Sequence, residues 1–167
     1  MSGNTMMFKK ELKKHILPFP ENLTFHDVWI GFVASTISSV QYTNEPLVFY
    51  RQHDNNITNI TRSKHREKQT LKEKIIKKSI AMKQKSNYLA AYYNFLQKNS
   101  QDNKNMNIIK NISKEYCQYE NYYFNIKLFS LLLNHKNDIF ISKKQKRLSF
   151  ILKNCLGLKA YKLVHFL

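Results

Sequence analysis

Turns need residues that tolerate tight or left-handed backbone, and this chain is short of them: three glycines and three prolines in 167 residues. That scarcity constrains the fold class before any motif is read. It argues against an all-β domain, which needs frequent turn signals, and favours helices. Hydrophobic residues make up 43% of the chain, enough to bury the core of one ordinary domain.

Charge divides the chain. The formal net charge is +17, from 28 Lys and Arg against 11 Asp and Glu. Residues 1–60 are neutral, with five basic groups (Lys9, Lys10, Lys13, Lys14, Arg51) and five acidic ones (Glu11, Glu21, Asp27, Glu45, Asp54). The remaining 23 basic and six acidic groups lie in residues 61–167. This asymmetry places a boundary near residue 60 and makes the second part a basic extension. Such a part can face nucleic acid or an anionic membrane, or simply reflect a genome rich in Lys, Asn, Ile and Tyr codons. Cys117 and Cys155 match no metal or redox spacing and read as apolar fillers in a reducing compartment. No secretory signal pattern opens the chain, and the apolar run at 129–133 is too short to span a bilayer.

Periodicity then gives the elements. A short amphipathic helix is expected over 6–15, ended by Pro18 and Pro20. Thr24 reads as the N-cap of a helix to about Ser38, with Asp27 three residues on as in a capping box. The apolar positions Phe25, Val28, Trp29, Phe32, Val33 and Ile37 recur at helical spacing. Two strands, 40–43 and 47–51, are expected around a turn at Asn44-Glu45-Pro46. Beyond Asn59 the pattern is helical: a long helix through Leu71, Ile75, Met82, Leu89 and Leu96, a polar break at 99–107, helices at 108–119 and 122–134, and a basic amphipathic stretch at 142–154. The expected class is α+β, mostly helical.

Chemistry concentrates between Thr24 and Asn56. Asp27, in the first turn of an apolar helix, can serve the helix dipole or act as a general base. His26 can orient Asp27 or touch a substrate. Trp29 lies on the apolar face and reads as core more readily than as a sugar-stacking platform. Arg51 can pair with a pyrophosphate or with Glu45 across the hairpin. His53 can ligate a divalent metal or bind a phosphate oxygen, with Asp54 as the sole neighbouring ligand. No Asp-x-Asp pair and no glycine-rich phosphate loop occurs in the sequence.

Five pieces stand in order: Ser2-Gly3-Asn4-Thr5 with Phe8, Leu17-Pro18-Phe19-Pro20, His26-Asp27-Val28-Trp29, Asn44-Glu45-Pro46-Leu47, and Tyr50-Arg51-Gln52-His53 with Asn55-Asn56. The set resembles the second half of a family-2 glycosyltransferase, nearest in pattern to bacterial rhamnosyltransferase-like members that build capsule or O-antigen. The resemblance covers residues 1 to about 58. It implies the acceptor-side part of a GT-A type α/β domain in residues 1–60, followed by a helical extension in 61–167. It implies Asp27 as the general base of an inverting transfer from a nucleotide sugar to a saccharide hydroxyl. It implies Gly3, Asn4, Thr5, His26, Trp29 and Arg51 as substrate contacts, and His53 as a single metal ligand. The complete enzyme would use Mg or Mn, a nucleotide-sugar donor and a lipid-linked saccharide acceptor.

The donor-binding half with its Asp-x-Asp motif is absent from this sequence. The chain alone is therefore expected to be inactive, to bind no metal by itself, and to expose an apolar face that favours self-association. The competing expectation is a non-catalytic basic module on an anionic membrane, with Lys143, Lys144, Lys146, Arg147 and Lys153 near Phe150 and Ile151 as the contact. Nucleic-acid binding ranks last, since no recognition motif accompanies the charge. The expected location is cytoplasmic, peripheral at the inner membrane face.

Overall fold

The computed structural model describes residues 5–49, 51, 70–99, 103–139 and 144–163. The chain separates into two compact units, Met1–Gln69 and Thr70–Leu167. The boundary expected near residue 60 lies outside the described residues.

In the first unit a 3-10 turn, Lys10–Leu12, runs into the short helix α1, Lys13–Ile16. Leu17 ends it in extended conformation, ψ 145°, as the proline that follows demands. Helix α2, His26–Ile37, packs on α1. It buries Trp29, Ile30 and Val33, a stripe at three- and four-residue spacing. Phe25, Val28 and Ile37, expected on the buried face, are exposed instead. The expected cap is also corrected: the N-cap is Phe25, with no side-chain hydrogen bond, rather than Thr24.

The expected strand pair does not form among the described residues. Residues 40–43 and 47–49 carry no strand, although the turn between them is present, with Thr43 Oγ1 accepting the Glu45 N–H at 3.2 Å. A lone two-stranded ribbon is marginal in water and needs a further strand or a helix against its apolar face. Here Tyr42, Leu47 and Phe49 stay exposed, Phe49 at 98%. The described residues are thus mostly helical, and the β part of the expected α+β class is not seen in them.

The second unit is a helical bundle. Helix α3, Leu71–Asn99, opens on a capping box that sequence periodicity overlooked. Thr70 Oγ1 accepts the Glu73 N–H at 3.3 Å, and a Glu73 carboxylate oxygen accepts the Thr70 N–H at 3.1 Å. Helix α4, Asn103–Cys117, packs along α3. Ser79 bonds Glu120, Ser86 bonds Ser113 and Lys110 sits over the Tyr93 ring, so rising numbers on one element meet falling numbers on the next and the pair is antiparallel. Ser86 and Ser113 exchange hydroxyl-to-carbonyl bonds of 3.1 and 3.0 Å, which lets two polar side chains sit inside the interface. The polar break expected at 99–107 is shorter, since α4 already begins at Asn103.

A 3-10 turn, Tyr119–Asn121, leads to α5, Ile126–Asn134, which packs on α4 and on α7, Lys144–Cys155. Between α5 and α7 lies the single turn α6, Lys136–Ile139; α8, Leu158–Leu163, follows α7. Every long element feeds one core: Met82 from α3, Ile112 and Tyr116 from α4, Leu128 and Leu132 from α5, Ile151 and Cys155 from α7. Residues 122–125 are extended, not helical as expected. Phe124 forms an isolated antiparallel bridge with Leu156, and Tyr123 O accepts the Gly157 N–H at 3.0 Å. Glycine is required there, because any Cβ at 157 would overlap the Tyr122 carbonyl.

Asn125 starts α5 from inside the core. Its Oδ1 accepts the Leu128 N–H at 2.9 Å, its Nδ2 donates to Glu115 Oε2 at 3.0 Å, and its backbone N–H donates to Cys155 O at 2.8 Å. Replacing it by alanine removes a cap and strips a buried carboxylate of a donor. Asn125→Ala is expected to cost about 2–3 kcal/mol in urea denaturation. Asn125→Asp keeps the cap acceptor but sets carboxylate against carboxylate, so its deficit should shrink as pH falls below the carboxylate range. An Asn125→Asp deficit independent of pH would refute the direct Asn125–Glu115 contact.

Burial also shifts thiol and phenol. It pushes Cys155 from 9.0 up to about 11, with Lys78 pulling slightly back, and burial with the neighbouring Tyr88 pushes Tyr92 from 10.0 up to about 12. Raised folded-state values mean stability that is full below pH 9.0 and lost as pH climbs through 11 and then 12. Lys85, held low by burial, works in the opposite sense. A thiol reagent at neutral pH should therefore label exposed Cys117 and spare Cys155 until denaturant is added. Equal labelling of both thiols in the folded chain would contradict the packing.

Candidate functional site

The residues expected to carry chemistry belong to the first unit. His26 and Asp27 are the first two residues of α2, where unpaired N–H groups and the helix dipole favour negative charge. Asp27 is half-buried and His26 is exposed. Asp27 Oδ1 accepts the Val28 backbone N–H at 3.0 Å, which holds the carboxylate on the rim of the helix start. Thr5 and Arg51 are exposed. Gly3, Asn4 and His53 lie outside the described residues.

Trp29 takes the core position that its place on the apolar face of α2 suggests, rather than the substrate contact that the resemblance implies. It is 4% exposed, and its indole N–H donates to Ile16 O at 3.0 Å. Its ring centroid lies 5.8 Å from that of Phe32. A ring so enclosed offers no face to a sugar; it fixes α2 against α1 and so sets where the helix start, with Asp27, stands.

Among the described residues no group of three or more His, Cys, Asp or Glu converges to hold a metal ion.

Shallow grooves lie among the described residues of the second unit. One, about 360 Å³, is lined by Asn111, Lys114, Glu115, Lys127, Ser130 and Leu131; another, about 380 Å³, runs along α3 past Ile76 and Ile80. Glu115 in the first is committed to Asn125. Sequence reading missed a polar network inside the bundle. The Lys85 ammonium donates to Asn154 Oδ1 and stands 5.6 Å from the Tyr116 ring and 5.5 Å from the Phe150 ring. Burial, with Lys78 nearby, holds Lys85 below the usual lysine range. The Lys78 ammonium donates to Lys153 O at 2.8 Å, near the end of α7. These lysines secure α7 to α3. Their partners are separated by some seventy positions, as in Lys85 and Asn154, so no local motif could reveal them.

Ile151, expected at a surface contact, is 1% exposed and belongs to the core. No helix among the described residues is long and apolar enough to cross a membrane. No protein-family model, no curated protein and no solved structure matches the chain.

The Trp29 anchor is testable, because this is the sole tryptophan of the chain. Its emission should be blue-shifted and shielded from acrylamide in the folded protein. Trp29→Phe, which deletes the bond to Ile16, is expected to cost about 1–2 kcal/mol, read as faster amide exchange across α2. Free quenching of the native tryptophan would remove the anchor.

Proposed function

We propose that this chain contributes the acceptor side of an inverting glycosyltransferase that acts in surface-polysaccharide synthesis, with Asp27 as the general base. The observation that carries the proposal is the ordered motif set of residues 2–56, joined to a half-buried Asp27 on the exposed rim of α2 beside His26. In this reading Asp27 Oδ2 takes the proton of an acceptor hydroxyl. The freed oxygen forms a bond to the anomeric carbon from the face opposite the diphosphate. The anomeric C–O bond breaks, its electron pair leaves with the nucleoside diphosphate, and the anomeric configuration inverts. A positioned carboxylate contributes about 10²–10⁴-fold to such a step.

His26, exposed next to the base, is assigned to the acceptor, and Thr5 and Arg51 to the sugar and its diphosphate. Trp29 acts through position alone, by docking α2. With no Asp-x-Asp pair in these 167 residues, donor binding is assigned to residues outside this sequence. Positioning and leaving-group stabilisation are large parts of catalysis, so the purified chain by itself should release no nucleoside diphosphate from a panel of nucleotide sugars.

The decisive variant is Asp27→Asn, introduced at the natural locus of the producing cell. It is expected to cut the sugar's incorporation into surface polysaccharide by about 10³-fold while leaving protein abundance unchanged. Full incorporation by cells carrying Asp27→Asn would sink the assignment of the base. Turnover by the isolated wild-type chain would overturn the assignment of donor binding elsewhere.

A further inference from the structure

The end of the chain combines two properties that a purely structural helix does not need. From Ile139 to Leu167 there are seven basic residues (Lys143, Lys144, Lys146, Arg147, Lys153, Lys159, Lys162) and no acidic one. Within this stretch α7 is fixed in rotation by its buried side: Ile151, Asn154 and Cys155 face the core, and the Lys153 carbonyl is held by Lys78. That rotation leaves Leu148 at 51% and Leu152 at 42% exposed, with Leu156 exposed one turn further on. The three leucines stand at four-residue spacing. The Leu156 N–H donates to Leu152 O at 3.2 Å, which ties the third to the last turn of α7 just before its bridge with Phe124. Lys153, Lys159 and Lys162 are exposed in the same stretch, as is Leu163.

We propose that the outward side of α7 and α8 is a docking surface for an anionic lipid bilayer. A leucine row inserts at the headgroup boundary while lysines meet anionic headgroups, the division of labour of an interfacial helix. Charge complementarity selects the lipid: a stretch with seven cations and no anion favours a negative surface. The leucine row separates a bilayer from a nucleic acid, whose phosphates would draw on the lysines and leave the leucines in water. The surface rests on α7 and α8 alone and is independent of the role assigned to Asp27. It differs from the contact expected from sequence, since Ile151 is in the core, Phe150 flanks Lys85, and Leu148, Leu152 and Leu156 form the row.

The test is co-sedimentation of the full chain with vesicles of phosphatidylcholine alone and of phosphatidylcholine mixed with phosphatidylglycerol, with circular dichroism of each variant as a folding control. The chain should pellet with the anionic vesicles, and high salt should weaken this. Leu148→Gln with Leu152→Gln, both at exposed positions, should lower partitioning by about tenfold. Lys153→Gln with Lys159→Gln and Lys162→Gln should erase the preference for anionic vesicles. Equal pelleting with both vesicle types would overturn the proposal. So would a folded double-leucine variant that binds like the wild type, or duplex DNA binding that is tighter than vesicle binding and indifferent to the leucines.

Discussion

One buried side chain holds the bundle's register. Asn125 is placed where α4, α5 and α7 converge. It caps α5 through Leu128, engages the Glu115 carboxylate on α4, and gives its backbone N–H to the last carbonyl of α7, that of Cys155. An unpaired polar group in such a place would be costly, so three helices can meet there only in the arrangement that satisfies all of these bonds. Leucines and tyrosines supply the bulk of the core, but apolar surfaces slide. The asparagine, the bridge between Phe124 and Leu156 and the close approach at Gly157 turn a greasy contact into a specified one.

That register decides what the basic charge can do. Two sets of lysines meet at the end of the chain. Lys78 and Lys85 point inward, donating to Lys153 O and Asn154 Oδ1 near the end of α7. Lys153, Lys159 and Lys162 are exposed, with the Lys159 ammonium 5.9 Å from the Tyr123 ring. The inward pair determines which side of α7 remains outside, and with it the exposure of Leu148 and Leu152. Structural and surface lysines are thus linked: the first group aims the second.

The first unit has a different economy. Trp29 closes α2 on α1 through its indole N–H, and the helix start carrying His26 and Asp27 is positioned by that contact. Phe25, Val28, Tyr42, Leu47 and Phe49 are exposed in the same unit. The segment expected to pair as two strands has its turn but no ladder. Strand formation is settled by what packs against a ribbon rather than by the alternation within it.

Much of the architecture was legible in the sequence, because helices follow from local periodicity. The long α3 and the basic α7 lie close to where apolar spacing puts them, while α4 and α5 start at Asn103 and Ile126 rather than at 108 and 122, and the helix expected over 6–15 is a 3-10 turn at Lys10–Leu12 followed by the short Lys13–Ile16. Caps were less legible. The helix that Thr24 was expected to cap has Phe25 as its N-cap, while Thr70 and Glu73 form a capping box that the sequence reading did not single out. At the candidate site, sequence supplied Asp27 and His26 as neighbours and Trp29 as a core residue, but not the bond from the Trp29 indole to the Ile16 carbonyl. Lys85 finding Asn154 and Asn125 finding Glu115 were beyond sequence altogether. Sequence determines what a segment can do with itself, since periodicity and turn chemistry act over a few residues. Tertiary structure decides which polar groups are buried together, since that depends on where distant helices cross.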